Sequence, residues 1–293
     1  MFNSMVCTGG LATLIPTHLK DNLGAAYKSR FGIDLENYIA KLFLDAKIEV
    51  LDEKNIENIY KQNGLKGKVC DFLYSKDINI IFESKAIEPG EIVQSTSDQA
   101  LLKRCLPASL IKSIKQGQKT AYNLKKTENY KNEKFLLVVI THEDFWFATG
   151  EDIVKYVDPN LATETQDEYN EIPIPFTDVI FLTINTFESL LESHKNGEQS
   201  LERSIEKCIQ SVNTPAGRRF NMAHVAQDVL DDKLMGHGFV ADEADRWIAA
   251  LPAIMKKNSS FWGTNAQHLM TVHQKLMISI DDEFERKKNA ANG

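Results

Sequence analysis

The sequence contains no apolar run that approaches the ~18 residues of a membrane-spanning helix. Its N-terminus is weakly apolar, is broken by a Gly-Gly pair and has no preceding basic run, which argues against a secretory signal. The cysteines form no CxxC pair and no compact disulfide pattern, so we expect reduced thiols. The four cysteines are Cys7, Cys70, Cys105 and Cys208. Together, these absences predict a cytoplasmic protein without membrane segments.

Positive charge is also scarce: the chain has 34 Lys and Arg residues but 41 Asp and Glu residues, which gives a net charge of −7. The deficit is uneven along the chain. Residues 101–134 carry nine basic and two acidic side chains, a local charge of +7, which leaves −14 for the rest. Such a basic segment is suited to neutralising phosphates, although a solvated lysine face would have the same composition.

Two short apolar segments in residues 68–86 carry the most informative charges. Val69–Tyr74 and Ile78–Lys85 alternate in polarity and predict a hairpin. Side chains two apart on a strand share a face, so Glu83 and Lys85 point the same way. Asp71 is expected roughly opposite Glu83 on the neighbouring strand. Two carboxylates and an ammonium would then converge at the rim of a sheet, a suitable place for Mg²⁺ or Mn²⁺.

An acid-x-Lys triplet is not specific by itself. Only Glu83-Ser84-Lys85 follows an apolar run with another strand-borne acid shortly upstream. The alternative for this group is a cross-strand ion pair on an exposed sheet face, worth about 0.2–1 kcal/mol. The other four triplets lie in polar contexts, at Asp45-Ala46-Lys47, Asp52-Glu53-Lys54, Asp231-Asp232-Lys233 and Glu285-Arg286-Lys287.

A helix is predicted from Pro107 to about Thr127, after the hairpin. Gln118 lies on its apolar face, and Tyr122 follows one turn later, so both can reach one neighbouring site. The alternative is a buried Gln satisfied by a backbone carbonyl and a Tyr packed in the core. The apolar positions of this face are Leu110, Ile111, Ile114, Ala121 and Tyr122.

These motifs resemble the PD-(D/E)xK nuclease superfamily, which has the restriction-endonuclease-like fold. The matching residues are Asp71, Glu83-Ser84-Lys85 and Gln118-Lys119-Thr120-Ala121-Tyr122, the last resembling the Gln-x-x-x-Tyr motif of RecB-type nucleases. The resemblance covers about residues 30–145. One departure is Cys70, where the family name has a proline.

The resemblance implies a metal-dependent deoxyribonuclease. Asp71, Glu83 and the backbone carbonyl of Ser84 would hold one or two Mg²⁺ ions, and Glu36 on the first helix is a further candidate ligand. Lys85 would position the attacking water or stabilise developing negative charge.

The helix after the hairpin would contribute further contacts in such an enzyme. Gln118 would hydrogen-bond the water or a phosphate oxygen, and Tyr122 would contact the nucleic acid. A lysine face beside Gln118 would bind the DNA backbone through Lys112, Lys115, Lys119 and Lys126.

The pattern along the chain predicts an α/β protein with a mixed sheet flanked by helices, plus a C-terminal helical region. We expect a nuclease-like domain over residues 1–195, with an acidic, loop-rich insertion at about 142–175. Residues 196–293 are expected to form a helical domain or appendage. This region is a candidate surface for a protein partner or for self-association. It is expected to contain helices at Ser200–Val212, Arg218–Met235, Asp242–Lys257 and Ala266–Phe284.

The leading hypothesis is therefore a Mg²⁺-dependent nuclease acting on DNA, in restriction or anti-phage defence by analogy. The alternative is a non-catalytic module on the same fold that binds nucleic acid or a protein. Hydrolysis of RNA or of a small nucleotide also stays open.

Overall fold

The computed structural model describes residues 4–86 (4–21 as backbone), 93, 95–131, 133–219 and 221–231, with isolated positions between 246 and 271. The chain divides into two compact units, Met1–Gly236 and His237–Gly293. The first unit extends past residue 195, where we expected the boundary. The reason is that two further helices pack against its last strand and the helix after it.

A five-stranded mixed sheet forms the centre of the first unit, with its strands in sequence order. The first three strands are antiparallel, and the third, fourth and fifth are parallel. The α/β class with a mixed sheet flanked by helices is thus confirmed. The strands are β1 (Leu51–Asp52), β2 (Phe72–Ser75), β3 (Asn79–Lys85), β4 (Phe135–Thr141) and β5 (Val179–Thr183).

The central strands form because their sequences are continuous apolar runs, which suit a strand covered on both faces. All seven residues of β4 are buried, as a central strand requires. β5 extends the same sheet beside β4. β1 is a short strand of two residues that pairs with β2.

Helices lie on both faces of this sheet. Among the described residues of the first unit, the helices are α1 (Ser4–Asp45), α2 (Glu53–Gln62), α3 (Gln99–Cys105), α4 (Lys112–Leu124), α5 (Gly150–Tyr156), α6 (Asn160–Tyr169), α7 (Ile184–Lys195), α8 (Leu201–Val212) and α9 (Met222–Val229). A π-helical turn, Pro107–Ile111, leads into α4. No described helix is long and apolar enough to cross a membrane.

α1 covers one face of the sheet. It is bent at Gly24, whose φ of 55° lies in the left-handed region that glycine tolerates. Beyond the bend it buries Leu35, Ile39 and Leu42. Directly after Leu42, Phe43 joins α1 to β3 and α7 in an aromatic cluster with Phe82 and Phe187.

α4 covers the opposite face and approaches the sheet closely at Gly117. A Cβ at this position would lie 2.6 Å from the side chain of Leu137 on β4, so only glycine permits this packing. Ile114 and Leu124 are fully buried in the same core. The approach fixes the height of every α4 side chain relative to the strands.

The acidic segment after β4 is helical, which corrects our prediction of a loop-rich insertion. α5 begins with a capping box, in which Thr149 and Asp152 each accept a hydrogen bond from the other's backbone. Ile153 of α5, Val157 at its C-terminal cap and Leu161 of α6 are all fully buried, at a spacing of four residues. The prediction of loops rested on the number of acidic residues and did not take account of these apolar residues, which recur at every fourth position.

The helices after β5 agree with part of the C-terminal prediction. α8 follows Ser200 as expected, and within 218–235 the structure describes α9, capped by Asn221. The predicted helices Asp242–Lys257 and Ala266–Phe284 lie outside the described residues apart from isolated positions. The described cysteines, Cys70, Cys105 and Cys208, are free thiols.

Candidate metal centre at the edge of the sheet

The strand register brings Asp71, Glu83 and Lys85 together. β2 and β3 pair through Phe72 and Phe82, so Asp71 follows at the position facing Glu83. Lys85 Nζ lies 3.0 Å from Glu83 Oε2, because the two side chains share a face of β3. The convergence expected from the alternating hairpin is therefore present.

Glu83 is fully buried and only partly satisfied. Its Oε2 accepts the bond from Lys85, whereas its Oε1 is buried and has no hydrogen-bond partner in the described part of the chain. Burial, and after it the nearby charge of Asp71, raise the pKa of this carboxyl from 4.5 to about 8, against the lowering effect of Lys85. A buried carboxyl with an unused oxygen is costly unless it serves a further ligand.

Asp71 is fixed by the residue between Glu83 and Lys85. Its Oδ2 accepts hydrogen bonds from the Ser84 backbone N–H at 2.6 Å and from the Ser84 hydroxyl at 2.7 Å. The carboxylate thus satisfies the N–H at the point where the β2–β3 ladder ends. Both bonds are accepted by Oδ2, so Oδ1 makes no hydrogen bond with Ser84.

The ammonium of Lys85 bridges two oxygens of β3. Besides Glu83 Oε2, it donates to the backbone carbonyl of Ser84 at 2.9 Å. These two oxygens belong to the ligand set that the resemblance implied for Mg²⁺. The same acceptors suit any hard cation, since carboxylate and carbonyl oxygens are its preferred ligands.

Glu36 on α1 lies within electrostatic reach of this group. Burial raises the pKa of Glu36, Asp71 and Glu53 raise it further, and Lys85 lowers it. In the part of the chain that the structure describes, however, no three His, Cys, Asp or Glu side chains form a group that could hold a metal. Asp71 and Glu83 therefore form a pair, and Glu36 does not join them as a third ligand.

Lys112, the first residue of α4, extends the positive charge of the site, because its charge lowers the pKa of Glu83. The other lysines of the predicted basic face lie elsewhere. Lys115 pairs with Glu164 of α6 at 2.8 Å. Lys119 lies against Gly67, and the Lys126 ammonium lies over the ring of Tyr122. Only Lys112 of the four is linked to the carboxylates, since helical periodicity places residues on a face but spreads them along its length.

Gln118 is buried at 0% exposure but does not reach the carboxylates. Its Nε2 donates to the Ile174 carbonyl at 2.7 Å, and its Oε1 accepts the Ile174 N–H at 2.8 Å. Both ends of the amide are thus bonded to the backbone just before β5. The predicted contact with a catalytic water is replaced by the structural alternative, a buried Gln satisfied by backbone.

Tyr122 lies near the opposite end of α4 from Lys112. Ten residues of helix separate them, about 15 Å at 1.5 Å per residue. The Tyr122 ring packs against Tyr169 at 4.7 Å, and Lys126 lies 3.8 Å from its centroid. The structure therefore does not bring Tyr122 to Asp71 and Glu83.

Two residues beside the site had no useful signal in the sequence. Gln116 donates from Nε2 to the Val69 carbonyl at 2.7 Å and so anchors the segment that leads into Asp71. His142 donates its backbone N–H to the Lys85 carbonyl at 3.4 Å, and its buried Nδ1 has no hydrogen-bond partner among the described residues. The only indication for His142 was its position directly after a buried strand.

No protein-family model matches the chain, and neither a curated protein nor a solved structure matches it significantly. Its chemistry has to be inferred from the geometry of this edge of the sheet.

Proposed function

We propose that this chain is a Mg²⁺-dependent nuclease that hydrolyses phosphodiester bonds, with DNA as its substrate. The observation that carries the proposal is the fully buried Glu83, whose Oε1 lacks a partner while Asp71 and Lys85 lie beside it. A purely structural ion pair on an exposed face, the alternative considered from the sequence, would not bury an unsatisfied carboxylate oxygen.

The residues present fit a divalent metal. Asp71 and Glu83 would hold it, together with the Ser84 carbonyl that now accepts from Lys85. Bound Mg²⁺ would acidify a water and act as a Lewis acid toward the phosphate. The paired carboxylates also oppose each other's ionisation, which is one cause of the raised pKa of Glu83, and a cation would relieve that repulsion.

The side chains have separate roles in this proposal. Ser84 holds Asp71 through two short hydrogen bonds and so fixes its orientation. Lys85, with a side chain 15% exposed, would place its ammonium beside the phosphate and stabilise the developing negative charge. Lys112 would add charge at the same point and attract the nucleic-acid backbone.

The arrangement of elements supports the finer fold assignment that we propose, the restriction-endonuclease-like fold. A helix precedes an antiparallel hairpin, whose second strand leads through α4 to a parallel strand. The carboxylates lie where the hairpin meets the parallel part of the sheet. As part of the same proposal, the biological setting is restriction or anti-phage defence.

A second candidate is a non-catalytic module that binds DNA or a protein. It is favoured by one observation: the described residues contain no group of three side chains that could hold a metal. Gln118, which the resemblance assigned to catalysis, is also fully engaged with Ile174.

Cleavage assays separate the two candidates. Linear duplex, circular duplex and single-stranded DNA, with RNA as a parallel substrate, are incubated with the protein in Mg²⁺, Mn²⁺ or EDTA. We expect cleavage of DNA with either metal and none in EDTA, and cleavage of circles would identify an endonuclease. Binding of DNA with no cleavage of any substrate would contradict the nuclease and favour the module.

The raised pKa of Glu83 predicts a pH-dependent stability in the absence of metal. The folded protein retains a proton that the unfolded chain releases, so this contribution is complete below pH 4.5 and is lost as the pH rises toward 8. Glu83→Gln should therefore be more stable than the wild type at alkaline pH. We expect a gain of roughly 2–3 kcal/mol near pH 9, because part of the ~1.4 kcal/mol per pKa unit is offset by the weaker bond to Lys85.

Urea unfolding in EDTA at several pH values measures this difference. The gain of Glu83→Gln over the wild type should shrink as the pH falls toward 5. Glu57→Gln, which alters an exposed carboxylate paired with Lys61, is the control and should show no such trend. A difference between Glu83→Gln and wild type that is the same at every pH would contradict the raised pKa.

A further inference from the structure

The loop after β4 holds an exposed tryptophan in a strained conformation. Trp146 is 50% exposed and has a φ of 62°, in the left-handed region that bulky residues rarely adopt. Its backbone N–H donates to Asp144 Oδ1 at 2.7 Å, and Asp144 in turn bonds the side chain of Asn221 at the start of α9. Strain of this kind persists where the surroundings enforce it, and it is concentrated at functional sites.

Trp146 lines a cavity of about 270 Å³ with a second exposed aromatic residue and two arginines. Tyr156 is 47% exposed. Arg218 is held by Asp152, with Nη2 2.8 Å from Oδ1, and Arg219 donates to the carbonyl of Ala216 and pairs with Asp228 at 3.5 Å. Aromatic faces and guanidinium planes held in place are the groups that stack on unpaired nucleobases, and arginine also binds phosphate. This volume is just below the ~300–1,000 Å³ of small-ligand sites, enough for a fragment such as one base.

Asp152 makes this arrangement rigid. Its Oδ2 accepts from the backbone N–H groups of Ala148 and Thr149, while its Oδ1 binds Arg218. One buried carboxylate therefore ties the loop that carries Trp146 to the segment that carries the arginines. A preorganised aromatic and cationic pocket loses little conformational entropy when a flat ligand enters.

The loop that carries Trp146 begins beside the candidate metal centre. The loop begins at His142, bonded to the Lys85 carbonyl, and ends where Ala148 and Thr149 pair with the outer side of β5. Counted along this antiparallel pairing, Trp146 is level with the carboxyl end of β5, about three strand spacings, or ~14 Å, from β3. A stacked DNA strand covers that distance in about four nucleotides of ~3.4 Å.

We propose that the pocket of Trp146, Tyr156, Arg218 and Arg219 binds an unstacked nucleobase of the single strand whose backbone passes Asp71 and Glu83. The inference rests on the proposed function in taking nucleic acid as the substrate. It specifies that substrate further, as a single strand or an unpaired end rather than intact duplex. Trp146 and Tyr156 supply the stacking faces, and the arginines contact the adjoining phosphate.

Binding without cleavage tests the pocket independently of the chemistry. A short oligothymidylate is titrated into the protein in EDTA, and tryptophan fluorescence and anisotropy of a labelled strand are followed. We expect Trp146→Ala to weaken binding roughly 10-fold or more and to abolish most of the quenching, whereas Trp146→Phe keeps most of the affinity. Leu44→Ala, at another exposed apolar residue, is the control and should bind as the wild type does.

The outcomes for the pocket and for the nuclease are distinct. Equal affinity of Trp146→Ala and wild type would overturn the pocket even if Mg²⁺-dependent cleavage is found. Loss of affinity in Trp146→Ala would support it even if no DNA is cut. Two further arms use thymidine monophosphate and duplex DNA as competitors. Competition by either one as strong as that of the oligothymidylate would also overturn the proposal, because the site would then not select a single strand.

Discussion

Glu83→Gln should reduce metal-dependent DNA cleavage by at least roughly 10³-fold, because in the proposed nuclease it would remove a charged metal ligand whose loss affects the transition state directly. The substitution keeps the shape of the side chain. It also keeps an oxygen that can accept the hydrogen bond from Lys85, which is 3.0 Å long in the wild type. The effect should appear in kcat, measured as the initial rate at saturating DNA and Mg²⁺. Excess Mn²⁺ should restore only a small part of the rate.

Lys85→Ala is the companion variant, with an expected loss of roughly 10²–10³-fold. It removes the cation that bridges Glu83 and the Ser84 carbonyl, so metal binding should survive while the rate falls. The exposed carboxylate variant Glu57→Gln is the matched control and should cleave at the wild-type rate. Full activity in Glu83→Gln would refute the assignment of these residues.

Gln118→Leu should lower the free energy of unfolding by roughly 2–6 kcal/mol, because two buried backbone groups lose their partners at about 1–3 kcal/mol each. Those groups are the N–H and carbonyl of Ile174, bonded at 2.8 and 2.7 Å. The volume of the side chain is nearly unchanged, so cavity formation contributes little. Equilibrium unfolding in urea measures the loss.

The same variant separates a structural role from a catalytic one. Well below its unfolding temperature, Gln118→Leu should cleave DNA within a few-fold of the wild-type rate. Gln166→Leu, at an exposed position on α6, should change neither property. If Gln118→Leu had wild-type stability and a cleavage rate as low as that of Glu83→Gln, the result would contradict the structural role and support a catalytic one for Gln118.

The hairpin was predictable because its information is local. Alternation with a period of two assigns side chains to faces, and a short turn determines which residues of the two strands face each other. Asp71, Glu83 and Lys85 are therefore close together as expected, with Phe72 paired to Phe82 beside them.

The positions of Gln118 and Tyr122, the helical residues that the sequence assigned to the site, were not predictable in the same way. A period of 3.6 indicates which face of α4 is buried, but not how high each residue lies relative to the strands. That height is set by the contact of Gly117 with Leu137, a non-local feature. Gln118 consequently meets Ile174, and Tyr122 meets Tyr169.

The acidic segment shows a related limit. Its net charge indicated exposed loops, whereas Ile153, Val157 and Leu161 place two helices against the core. Glu164 of the second helix also pairs with Lys115 of the basic face. Charge counted along the chain does not reveal which charges neutralise each other in space.

Anomalous diffraction from a crystal soaked in Mn²⁺ would test the central claim, that Asp71 and Glu83 share one cation. The account predicts a manganese peak in bonding contact with both carboxylates and the Ser84 carbonyl, with the Lys85 ammonium displaced from that carbonyl. The peak should be absent in Glu83→Gln. A wild-type crystal with no peak at these oxygens, and with Lys85 still bonded to Glu83 and Ser84, would contradict it.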